Sequence, residues 1–169
     1  LLMKAGLVQV RAEDLPEGRL ACDQQREDGT VVHSLTGHAI CAIQRHRWIE
    51  SEKRGSDCGT ACEEEWIERY WRGWARSKLL EHLMGWRCWG AFGQDSFALF
   101  RRRSMVDGVE PDLLGDIAQQ LARGGENLDI IAWALDQALD LDPILELLDR
   151  IDINAKRHRL LTDHIRLFI

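Results

Sequence analysis

Between residues 67 and 83 the chain carries Ile67, Tyr70, Trp71, Trp74, Leu79, Leu80 and Leu83, an apolar series at the three- and four-residue spacing of one helical face. A stripe that broad does not stay in water. It obliges the remaining chain to supply layers against which a long amphipathic helix is buried. Thr60-Ala61-Cys62-Glu63 reads as its start: the Thr60 hydroxyl would accept from the N3 amide while Glu63 returned to the cap amide. Glu63, Glu64 and Glu65 lie where the helix dipole favours negative charge, Arg76 and Lys78 lie later, and Gly85 suits a left-handed C-terminal stop.

The other elements follow from the same reasoning. Residues 1–35 read as an irregular or hairpin-like arm, with Gly6 to Val10 as one short strand and Thr30 to Leu35 as another. From Thr36 to Arg54 the period is helical, and Gly55-Ser56-Asp57-Cys58-Gly59 breaks it. Arg87 to Phe92 and Ser96 to Phe100, around Gly93-Gln94-Asp95, read as a small hairpin. Helices are expected over 111–123, 128–140, 143–153 (Asp142 as cap, Pro143 at the first position) and 155–168. The expected fold is mainly α: a helical domain over 36–169 with a small β-hairpin and a C-terminal helical layer. Within it, 36–103 is rich in Trp and Arg and 104–169 is acidic.

Composition narrows the class. With 169 residues, 45% apolar and 30% charged, the chain is long enough to bury a core. Its longest apolar run, Ile130 to Leu135, falls far short of the roughly 20 residues that span a bilayer. Lys4 follows only three apolar residues, so no secretory leader is expected. The five cysteines (Cys22, Cys41, Cys58, Cys62, Cys88) have no framework spacing and suit reduced thiols in a cytoplasm. The net charge of −6 disfavours general adhesion to nucleic acid, but it is unevenly spread. Residues 69–103 hold eight Lys/Arg against Glu81 and Asp95, whereas 104–153 hold Arg123 and Arg150 against twelve acidic residues.

No short catalytic signature is present: no phosphate-binding loop, G-x-G-x-x-G, G-x-S-x-G, H-E-x-x-H or C-x-x-C. Cys58 and Cys62 with Cys88 are the soft-metal candidates, although small buried thiols are the simpler reading. A polar site could be assembled from His46, Glu50, Glu52, Glu81 and His82, since His46 and Glu50 share a helix face. Against it, the glutamates have Arg47, Lys53 and Arg54 as ready partners. Asp136, Asp140, Asp142, Asp149 and Asp152 lack the glycine and terminal glutamate of a calcium loop and read as solvated helix faces. No cofactor and no metal is expected.

Tryptophan is the sharpest feature. Six of the seven (Trp48, Trp66, Trp71, Trp74, Trp86, Trp89) fall between residues 48 and 89, interleaved with Arg69, Arg72, Arg76 and Arg87. Trp and Arg dominate the energetic centres of protein interfaces, and the same mixture stacks on single-stranded bases. A core role is the alternative for any one ring. The expected partner face comprises Trp66, Arg69, Tyr70, Trp71, Arg72, Trp74, Arg76, Trp86 and Trp89.

The segment His46-Arg47-Trp48-Ile49-Glu50-Ser51-Glu52-Lys53-Arg54-Gly55-Ser56-Asp57-Cys58-Gly59, followed by Trp66-Ile67 and Tyr70-Trp71-Arg72-Gly73, resembles a stretch of short uncharacterised bacterial proteins with the wording H-R-W-I-E-S-E-K-x-G-x-D-x-G ahead of a Trp/Arg-rich helix. The resemblance covers about residues 45 to 85, implies a bacterial origin and brings no activity with it. The expectation is therefore a cytoplasmic, non-catalytic accessory subunit or adaptor that docks on a larger protein through the Trp/Arg helix, without a membrane. Nucleic-acid binding by 69–103 ranks second, and a metal-dependent enzyme using His46, Glu50 and Glu52 third.

Overall fold

A computed structural model describes residues 22–106, 110–160 and 165–166. Among them are seven α-helices and three short strands: β1 Gln24–Gln25, β2 Val31–His33, α1 Leu35–Arg54, α2 Gly59–Met84, β3 Cys88–Trp89, α3 Leu99–Val106, α4 Pro111–Ala122, α5 Asn127–Asp136, α6 Leu141–Ile151 and α7 Ile153–Leu160. The mainly α architecture with a small β element is as the apolar periods require. The strand expected at Gly6 to Val10 lies outside the described residues.

Helix α1 begins one residue earlier than Thr36, because the Ser34 side chain accepts from the Gly37 amide at 3.1 Å. It ends at Gly55, whose left-handed backbone (φ 69°) lets its amide reach the carbonyls of the last turn. Helix α2 ends in the same way at Gly85 (φ 80°). Its start differs from the expected capping box. Cys58 is the N-cap, Thr60 is already helical, and no side-chain cap bond forms. Glu63 bonds to Arg47 of α1 at 3.0 Å instead, a charge-assisted contact stronger than the neutral amide bond it replaces. Asp57 takes the Gly59 amide at 3.0 Å.

The hairpin expected at 87–100 is also corrected. Only Cys88–Trp89 is extended, and it pairs in parallel with β2 in the register Val32↔Cys88 and His33↔Trp89. Gly90–Phe92 is a single 3₁₀ turn, and Leu99 already opens α3. The antiparallel hairpin lies upstream, where β1 pairs with β2 (Gln24↔Val32), so the sheet order is β1-β2-β3. Trp89 is drawn to β2 because its ring is enclosed there in the core.

The C-terminal helices have other bounds than their apolar periods predict. Helix α5 stops at Asp136, not 140, and Ala138 turns left-handed (φ 53°) just beyond it. Helix α6 begins at Leu141: Asp140 is its cap and accepts from the Asp142 amide at 3.1 Å. Pro143 therefore stands at the third position, where its missing N–H has no intrahelical partner to lose. Helix α7 starts at Ile153 after left-handed Asp152 (φ 47°).

Helix α2 is the axis of the molecule. It touches α1, α3, α4, α7 and β3. One apolar cluster joins Ile43 of α1, Ile67, Trp71, Leu79 and Leu83 of α2, Leu114 and Ile117 of α4, Ile130 of α5 and Leu147 of α6. No helix among the described residues is long and apolar enough to cross a membrane.

Candidate functional site

Burial on several sides of α2 decides where the tryptophans go. Trp71 and Trp89 are fully enclosed, and Trp66 and Trp74 are buried. Trp74 stacks on Trp71 at 5.7 Å and meets Trp66 and Trp89 edge-on at 5.9 and 6.2 Å. These four rings are core, so the continuous partner face expected on α2 is absent. Tyr70 is half-buried against His46 and Trp66. Arg69 pairs with Glu65 one turn back at 2.9 Å. Arg76 turns inward and donates to the carbonyls of Leu121 and Gly125, closing the C-terminal end of α4. Arg72 stays exposed, and with Arg76, Arg123, Arg157 and Glu126 it borders a hollow of about 450 Å³. The acidic C-terminal half supplies Glu146, which holds buried Arg103 through two bonds of 3.0 and 2.9 Å.

Among the described residues, two large aromatic rings remain outside: Trp48 at 65% and Trp86 at 67% exposure. They do not form one patch. Arg47 of α1 meets Glu63 and His46 meets Tyr70, so α1 and α2 run antiparallel. Trp86 follows the far end of α2, roughly 30 Å from the level of Trp48 at 1.5 Å per residue.

Trp48 stands over an open groove of about 530 Å³ lined by Gln44, Arg47, Ser51, Glu52, Gly55, Ser56 and Asp57. Its floor is pre-built. Arg47 forks onto Asp57 (Nε–Oδ1 3.0 Å, Nη2–Oδ2 2.5 Å) while its other Nη holds Glu63. The Arg47 bonds keep the Asp57 carboxyl well below the usual carboxylate range. Ser51 Oγ accepts from the Cys58 amide at 3.1 Å. Cys58 and Cys62 are joined as a disulfide across the first turn of α2, so the expectation of five reduced thiols is corrected for this pair, as is their soft-metal pairing with Cys88. These contacts give the His46-to-Gly59 segment a structural meaning: it is the α1–α2 corner.

The expected polar site of His46, Glu50, Glu52, Glu81 and His82 is not assembled. Glu50 is taken by Lys53 at 2.7 Å, Glu52 faces solvent, and His46 Nε2 is buried without a hydrogen-bond partner. Glu81 and His82 lie at the other end of α2 in a buried network. Glu81 accepts from Lys78 Nζ at 2.6 Å and from the Trp89 indole at 3.0 Å, while Lys78 sits 5.5 Å from the Trp74 and Trp89 ring centres. His82 Nδ1 accepts from the Trp89 amide and Nε2 donates to the Gly93 carbonyl, both at 2.9 Å. That pattern requires a neutral ring, and burial pushes its pKa down to about 4.

A different cluster is brought together by residues that belong to no recognisable motif. Asp23 precedes β1, His33 ends β2 and His38 lies in the first turn of α1. The hairpin and the Ser34 cap bring His33 Nδ1 and His38 Nε2 each to 3.0 Å from Asp23 Oδ2, and the Ser34 amide donates to Oδ1 at 2.8 Å. Trp89 covers both imidazoles at 5.3 and 5.1 Å, as the β2–β3 register dictates. Burial pushes His38 below its ordinary pKa, against the pull of Asp23. Among the described residues this is the group of His, Cys, Asp or Glu side chains whose ligating atoms converge.

Compared with known proteins, the chain matches no family model, no curated protein and no solved structure.

Proposed function

We propose that this chain is a non-catalytic accessory module that docks on a larger protein through the outer face of α1, with Trp48 as the anchor. The observation that carries the reading is a large indole held two-thirds in solvent on a corner fixed by charge-assisted bonds. A ring with few rotamers on a rigid support loses little entropy when a partner encloses it. The partner is a protein offering an apolar cleft to the indole, and the adjoining groove receives a side chain in return. Trp86 serves as a separate, distant contact.

The nucleic-acid reading of 69–103 loses ground, because Arg76 and Arg103 are used internally, Arg69 is paired, and Arg102 donates to the Asp95 carbonyl. Bacterial origin and a cytoplasmic placement belong to the same proposal. The Cys58–Cys62 bridge weighs against the placement, since disulfides persist mainly in oxidising compartments.

The test is site-specific photo-crosslinking in the source cells, with a benzoyl-phenylalanine in place of Trp48 or, as an exposed control on α3, in place of Arg101. A discrete adduct from position 48 and none from 101 is expected. No adduct, or the same adduct from both, refutes the docking face.

A further inference from the structure

We propose that Asp23, His33 and His38 bind one divalent transition-metal ion, leaving an exchangeable position on the His33 side. Two ligand atoms about 2.0–2.1 Å from a shared ion and at tetrahedral or right angles are roughly 3 Å apart. Both imidazole nitrogens stand 3.0 Å from Asp23 Oδ2, and all three ligating atoms lie within 4.8 Å of one another. Little rearrangement is needed beyond the protons. Each ring must carry its hydrogen on the nitrogen remote from Asp23 when the ion takes the near one.

The surroundings are those of a site that holds its ligands in place. The Ser34 amide fixes one carboxylate oxygen, leaving the other directed at both imidazoles. The Asp23 side chain is fully enclosed and His38 nearly so, whereas His33 keeps about a sixth of its side chain exposed. Solvent or a ligand therefore reaches the ion past His33. Two nitrogens and one carboxylate select ions of the zinc, cobalt and iron(II) class over magnesium and calcium, which prefer oxygen. Three protein ligands with one open position leave the ion able to exchange a ligand with solvent, unlike a closed four-ligand structural site.

The full chain, stripped with a chelator, is titrated with Co²⁺, Zn²⁺ and Ca²⁺ and followed by calorimetry, visible absorption of bound Co²⁺ and proton resonances. One equivalent of Co²⁺ or Zn²⁺, paramagnetically shifted signals from two imidazoles and negligible Ca²⁺ uptake are expected. His33→Gln, at the more accessible of the two histidines, should weaken binding at least 100-fold while keeping the metal-free melting curve. Asp23→Asn should do the same. Absence of uptake, absence of the two imidazole signals, unchanged affinity in both variants, or Ca²⁺ binding as tight as Co²⁺ each overturns the proposal.

Discussion

His82 shows what a single buried residue imposes on the whole chain. Its ring accepts one backbone hydrogen and donates the other, so the folded protein holds it neutral with a pKa near 4. Unfolded, the ring titrates near its ordinary value of 6.5. Between those values the unfolded chain binds the extra proton, so stability rises with pH across the window from about 4 to 6.5. The shift corresponds to about 3 kcal/mol, and His38, also lowered by burial, acts in the same direction. Urea unfolding at pH 4.5 and 7 should show this loss on acidification, and His82→Gln should remove most of the difference. An unchanged difference in the variant would place the titration elsewhere. The same residue scale explains why a count of tryptophans misled about the surface. The Trp89 indole has a partner in Glu81, two residues outside any recognisable motif, and only the fold reveals it.

At the scale of elements, helix ends are where local rules met long-range competition. Gly85 is the test case. Its φ of 80° favours glycine, and a Cβ there would stand 2.7 Å from Ala98 Cβ and 3.2 Å from its Cα. Gly29 has a similar φ of 84° and open space around it. Gly85→Ala should therefore cost about 3 kcal/mol, backbone strain plus steric crowding, while Gly29→Ala costs about 1 kcal/mol. Chemical denaturation of the two variants decides it, and equal losses would contradict the close α2–α3 approach. The Gly55 and Gly85 stops were legible because a left-handed terminus is a local property of one residue. The Thr60 capping box was not, because Arg47 from a neighbouring helix claimed Glu63. The hairpin at 87–100 failed for a similar reason: the partner of β3 lies more than fifty residues upstream, in β2. The Asp23–His33–His38 cluster has no fixed spacing to recognise, since a hairpin and a helix cap, not one element, bring it together.

For the molecule as a whole, the amphipathic stripe of α2 determined the class of fold but not which of its residues would meet solvent. A helix packed against neighbours on several sides turns its tryptophans inward and leaves polar residues such as Glu64, Glu68, Arg69 and Arg72 to solvent. The basic middle and acidic end are likewise joined internally at Arg103 and Glu146. The docking reading places recognition at the α1 corner, so it depends on which indoles water can reach. Hydroxyl-radical footprinting with peptide-level mass spectrometry measures that directly on the native chain. Trp48 and Trp86 should oxidise fast, and Trp66, Trp71, Trp74 and Trp89 should resist until the protein is unfolded. Oxidation of Trp71 and Trp74 as rapid as that of Trp48 would return the partner face to α2 and contradict the assignment of Trp48 as the anchor.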